Sequence, residues 1–125
     1  MLVPHVAVWL DRNEAKILHF AGGVIDAEEL KAPHHHLKRK AKDRRPHAGT
    51  KRFFDAIAKT LEDAQEILVV GPSSTKLDFL RRLHKHDRAI ERRVLGVETL
   101  ERLSDLELAA YVQHYFRDRG HLERD

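Results

Sequence analysis

The chain has 125 residues, enough for one ordinary domain that buries a core without metal or disulfide staples. It has no cysteine, which excludes a disulfide framework, a thiolate zinc site and a cysteine nucleophile. The net charge is only +3, but residues 31–52 hold nine Lys/Arg against one acid, Asp43, and so carry +8, while the rest, with 14 Lys/Arg and 19 Asp/Glu, carries −5. Segregation of this kind points to a polyanionic partner. No apolar run approaches the ~20 residues of a membrane-spanning helix. Residues 1–5 have neither a basic n-region nor the start of an apolar h-region, so a secretory signal is not expected. With no cysteine to oxidise, the expected compartment is the cytoplasm.

Residues 5–10, His-Val-Ala-Val-Trp-Leu, are apolar and β-branched and predict a strand. Asp11-Arg12-Asn13-Glu14 is a turn signal, and residues 15–20 predict a second strand. Ala21-Gly22-Gly23 supplies a turn with positive φ, and residues 24–31 alternate weakly as a third strand at a sheet edge. Short links between three consecutive strands make an antiparallel meander. Pro33 then breaks the pattern, and residues 32–51 read as a loop without apolar periodicity. Loops of this length inside a domain are uncommon and are usually functional or disordered.

Helical periodicity follows, with Phe53, Phe54, Ile57, Ala58, Leu61 and Ala64 on one face. Glu66-Ile67-Leu68-Val69-Val70-Gly71 is a continuous apolar run, the form of a strand buried on both sides. Thr75-x-x-Asp78 predicts the cap of a second helix with Leu77, Leu80 and Leu83 as its apolar face. Residues 94–97 predict a fifth strand. Ser104-Asp105-Leu106-Glu107 is a capping box opening a third helix lined by Leu108, Tyr111, Val112, Tyr115 and Phe116. Residues 117–125 read as a polar, frayed tail. The predicted order is β-β-β-α-β-α-β-α, an α/β chain with a mixed five-stranded sheet and helices on its faces, forming one domain over residues 1–125 with its core in residues 5–116.

The basic loop is the strongest functional signal. Lys38, Arg39, Lys40, Lys42, Arg44, Arg45, Lys51 and Arg52 supply cations for phosphates, and His47, Ala48, Gly49 and Thr50 form its tip region. A second basic strip, Arg81, Arg82, Lys85, Arg88, Arg92 and Arg93 with His84 and His86, is interspersed with Asp78, Asp87 and Glu91 and reads first as an ordinary exposed helix face. His34-His35-His36 are adjacent residues that do not converge on one ion, so no metal site is expected. Ser73-Ser74-Thr75-Lys76 could hold an anion at a helix start, but it lacks the second glycine of a Walker motif, and capping is the plainer reading. Trp9 could stack on a base, but on an alternating strand it reads as core.

Val6-Ala7-Val8-Trp9-Leu10-Asp11-Arg12-Asn13-Glu14-Ala15-Lys16, the basic loop ending in His47-Ala48-Gly49-Thr50, the helix from Phe53, and Ile67-Leu68-Val69-Val70-Gly71-Pro72 with Lys76 and Phe79-Leu80 resemble the middle domain of the archaeal and eukaryotic peptide-chain release factors and of Pelota. They also resemble short bacterial relatives described as translational machinery proteins. The resemblance covers residues 5–116 and implies an RNase H-like sheet; the L7Ae-like domain of the same factors is the alternative fold. It further implies a partner in the ribosome or tRNA. Release factors carry Gly-Gly-Gln in the loop, and this chain offers only His47-Ala48-Gly49-Thr50 there. The resemblance therefore points to RNA binding without catalysis, without cofactor and without membrane. A hydrolase acting on peptidyl-tRNA through residues 47–50 and a protein-binding adaptor are the open alternatives. A nuclease of RNase H type would need Asp11 to meet further carboxylates such as Asp55 and Glu62, and nothing in their spacing ties them together.

Overall fold

The computed structural model describes residues 5–21, 24–33 and 48–118. In chain order they form β1 (His5–Leu10), β2 (Glu14–Ala21), β3 (Val24–Lys31), α1 (Ala48–Thr60), β4 (Glu66–Gly71), α2 (Thr75–His86), α3 (Arg88–Glu91), β5 (Val94–Thr99) and α4 (Asp105–Asp118). The five strands make one mixed sheet in the order β3-β2-β1-β4-β5. β1–β2 and β2–β3 are antiparallel, and β1–β4 and β4–β5 are parallel. The meander and the edge position of β3 are as the sequence predicts.

Each residue of β1 is buried, because β1 is the central strand and helices cover both of its faces. Its alternation then sorts the core into two layers. Val6, Val8 and Leu10 meet Ile17, Val69, Phe53, Phe54, Ile57, Phe79, Leu83 and Ile90 beneath α1, α2 and α3. Ala7 and Trp9 meet Leu18, Phe20, Leu68, Val70, Leu108, Val112, Tyr115 and Phe116 beneath α4. Trp9 is thus a core residue, 2% exposed, as its place on an alternating strand implies.

Two close approaches fix the parallel half of the sheet. A Cβ on Gly71 would sit 2.2 Å from the Leu10 carbonyl oxygen, so glycine lets the end of β4 lie against β1. Gly96 of β5 leaves room for the Tyr115 hydroxyl.

Several boundaries differ from the sequence reading. α1 begins at Ala48, so Gly49, Thr50, Lys51 and Arg52 belong to a helix and not to the loop, and His47 is followed by helix instead of a loop tip. The reason is that Phe53 and Phe54 anchor the apolar face, and a helix nucleated there extends backward by a further turn. Arg117 and Asp118 complete α4, with Asp118 held by His114 at 3.0 Å, so the polar tail starts later than expected. β5 runs to Thr99, because its backbone pairs with β4 as far as Gly71. α3 is an additional helical turn. Asp87, at φ −152° and ψ 59°, ends α2, and its carbonyl accepts the amides of Ile90 and Glu91. Ile90 thereby reaches the core. The turn at Gly22-Gly23 and residues 119–125 lie outside the described residues.

Candidate nucleic-acid interface

β1, β4 and β5 run parallel, and β3 runs with them because both β1 and β3 oppose β2. Their C-terminal ends therefore share one edge of the sheet. The connection between β3 and α1 has both of its ends there. α2 starts at that edge because it follows β4 directly. α1 is aligned with α2 by Arg82 and Asp55, each the eighth residue of its helix, whose guanidinium and carboxylate meet at 2.7 and 3.0 Å. α4 also begins there. Asp105 binds Lys16 Nζ at 2.6 Å beside the end of β1, whereas Phe116 packs on His5 at its start.

The three long helices thus point their positive ends at the edge from which the basic connection leaves. A helix N-terminus carries a partial charge of about +0.5 and favours anions. Two of the three ends are answered from within. In α4, Ser104 and Glu107 form the predicted capping box, each backbone amide donating to the other's side chain at 3.1 and 3.2 Å. The Ser104 hydroxyl and amide hold the Glu107 carboxyl below its ordinary range. α2 has Asp78 in its first turn, although Thr75 does not act as the cap. Thr75 is instead a buried helical residue whose hydroxyl meets that of Ser73 at 3.2 Å. The buried Lys76 ammonium donates to the Ser73 carbonyl at 2.7 Å, so this helix start is engaged locally.

α1 is different. It has no acid in its first turn, and Lys51 and Arg52, both exposed, fall within its first five residues. Cations there oppose the helix dipole, and among the described residues neither is paired with an acid. The neighbouring candidates Gly49 and Thr50 are half-buried at the same helix start. Lys38, Arg39, Lys40, Lys42, Arg44, Arg45 and His47, like His34-His35-His36, lie outside the described residues.

The root of the basic segment is anchored by a cluster that sequence spacing does not reveal. Ala32 extends the β3 ladder by donating its amide to the Asn13 carbonyl at 2.8 Å. Lys31, the last residue of β3, donates to Glu14 Oε2 at 2.7 Å. Glu14 is buried, and its other oxygen takes Arg102 from the β5–α4 connection. The bond from Lys31 holds the Glu14 carboxyl below its ordinary value; burial opposes this, and Arg102 adds to it. Asp11 accepts the amides of Asn13 and Glu14 at 2.8 and 2.9 Å, the turn role its position predicts. Arg102 also lies 3.9 Å from Asp11 and 5.4 Å over the Trp9 ring, and the Trp9 indole donates to the Leu100 carbonyl. Glu14 and Arg102 are 88 residues apart, so only the tertiary fold brings them together.

The second basic strip is largely tied down. Arg81 pairs with Asp78 and Arg82 with Asp55. Arg88 donates to the His84 carbonyl at 3.1 Å, and His84 meets Glu91 at 3.0 Å. Arg93 closes the end of α1 through the carbonyls of Glu62 at 2.9 Å and Ala64 at 2.5 Å. Lys85 and Arg92 project to solvent. Asp11, Asp55 and Glu62 do not converge, and no group of three potential metal ligands exists among the described residues. No helix is long and apolar enough to cross a membrane among them.

The fold is a mixed α/β sheet with a basic crossover rooted at its parallel-strand edge, and it is the fold expected from the release-factor resemblance. No protein-family model matches the sequence, and no curated protein matches it by sequence. Solved structures do match. The chain is similar to Pelota of Archaeoglobus fulgidus, with a TM-score of 0.66 and 18% identity over 93% of this chain and 32% of that one. It is similar to an archaeal translation termination factor, aRF1, with a TM-score of 0.58 and 11% identity over 94% and 42%. It is similar to Dom34 of S. cerevisiae, a translation termination-like factor involved in RNA quality control and interacting with Hbs1, with a TM-score of 0.55 and 10% identity over 88% and 35%. The chain spans 32% to 42% of the length of these proteins.

Proposed function

We propose that this chain binds RNA of the ribosome or of tRNA through residues 38–52, in the cytoplasm, and that it does so without catalysing a reaction. The observation that carries the reading is the start of α1. Lys51 and Arg52 stand against a helix dipole with no acid in the first turn and none paired with them among the described residues, and in the sequence they follow six further cations at Lys38, Arg39, Lys40, Lys42, Arg44 and Arg45. Local rules of helix design place acids at this position, and departures from such rules concentrate at functional sites. A polyanion supplies the missing negative charge.

The fold shared with Pelota, aRF1 and Dom34 supports a place in translation. Binding without chemistry is supported by the carboxylates at the edge, which are engaged in turns and ion pairs, and by the lack of Gly-Gly-Gln. Filter binding to ribosomal RNA across a salt series tests the reading. Removing residues 38–47 takes away six Lys/Arg and should lower the slope of log affinity against log salt by about four to five units. An unchanged slope would refute RNA contact by this segment.

A further inference from the structure

We propose that the Arg102 guanidinium, seated on Trp9, is a stacking platform for an unpaired nucleobase. This deepens the RNA-binding reading and rests on it, and it specifies single-stranded RNA with an accessible base as the ligand.

Four observations lead there. The guanidinium carbon sits 5.4 Å over the Trp9 ring, so the cation lies against an aromatic surface. Trp9 itself is immobilised, 2% exposed and bonded through its indole N–H to the Leu100 carbonyl. The nitrogens of Arg102 are directed at carboxylates: Nη2 binds Glu14, and Nη1 faces Asp11 at 3.9 Å. Yet the Arg102 side chain remains 57% exposed.

A guanidinium held in this way has its charge matched by Glu14 and Asp11, so a phosphate gains little from it. What it still offers is a flat surface. Unstacked bases pack on arginine planes as they do on aromatic rings, and lysine, a point charge without a plane, offers no such surface. The platform is also correctly placed. Lys31, at the root of the basic segment, binds the same Glu14 as Arg102, so the platform lies beside the point where that segment leaves β3. Arg102 takes an exposed base of any identity by stacking, and the basic segment supplies the attraction to the phosphates.

The experiment compares oligouridylate with an abasic ribose-phosphate oligomer of the same length, for wild type, Arg102→Lys and the variant lacking residues 38–47. Trp9 is the only tryptophan, so its emission reports directly on the platform. Wild type is expected to bind the base-bearing strand about tenfold more tightly than the abasic one, with a change in Trp9 emission only for the former. Arg102→Lys keeps a cation beside Glu14, preserving the fold, and is expected to erase the tenfold difference while leaving the salt slope intact. Equal wild-type affinity for both oligomers, with binding still dependent on residues 38–47, overturns the platform and leaves the RNA reading standing. A tenfold difference that persists in Arg102→Lys, or a loss on both oligomers with a reduced slope, also overturns it. If wild type binds neither oligomer at low salt, the platform and the RNA reading fall together.

Discussion

Two basic stretches look alike in the sequence and differ in the folded chain. Between residues 81 and 93, Arg81, Arg82, Arg88 and Arg93 each hold a carboxylate or a carbonyl of the same chain; Arg82 ties α2 to α1, and Arg88 ties α3 to α2. At the start of α1, Lys51 and Arg52 are exposed and lack such partners among the described residues, on a helix end that already favours anions. Charge counting therefore cannot separate architecture from interface. What separates them is whether the fold supplies the counter-charge.

Substitutions in the two stretches should consequently fail in opposite assays. The largest stability effect is expected for Arg93→Ala. It removes the closure on Glu62 and Ala64 and should cost about 2 kcal/mol in denaturant unfolding, with RNA affinity of the folded protein unchanged. A drop in affinity without loss of stability would break the comparison. Arg44→Ala with Arg45→Ala should do the reverse. It should lower the salt slope of RNA binding by about 1.5 units, with stability shifted by less than about 0.5 kcal/mol.

The buried Glu14 gives a pH signature at the root of the segment. Its carboxyl is held below the ordinary value chiefly by the bond from Lys31, against burial, with Arg102 contributing further. The stabilisation is present above the carboxyl's unfolded pKa and is lost as pH falls from there through the lower folded value. Glu14→Gln should flatten the fall of the urea midpoint across that acid range, and a curve parallel to wild type would show that the Lys31–Glu14–Arg102 cluster is not the cause. The smallest effect belongs to Lys85→Ala with Arg92→Ala, which should move stability by less than about 0.5 kcal/mol and leave the salt slope unchanged.

The meander, the central Trp9 strand, the buried β4 run and the Ser104–Glu107 box were all legible in the sequence. Each is specified locally, by period, by turn chemistry or by a four-residue motif. The start of α1 was not, because Ala48, Gly49 and Thr50 lack a distinctive local signal and Phe53 and Phe54 organise them from downstream. The missing Thr75 cap has a related cause. Burial of Thr75 beside Ser73 outweighs the short motif that suggested a cap. The Glu14–Arg102–Trp9 cluster was illegible for a different reason. It joins a strand start, a strand interior and a connection far apart in the chain, and no spacing rule links them.

The most direct measurement is co-sedimentation with ribosomes and their separated subunits at low and high salt, for the full chain and for the variant lacking residues 38–47. The full chain should pellet with one subunit at low salt and be released at high salt, while the variant stays in the supernatant throughout. Both proteins pelleting alike, or both remaining in solution at low salt, would contradict RNA binding through this segment.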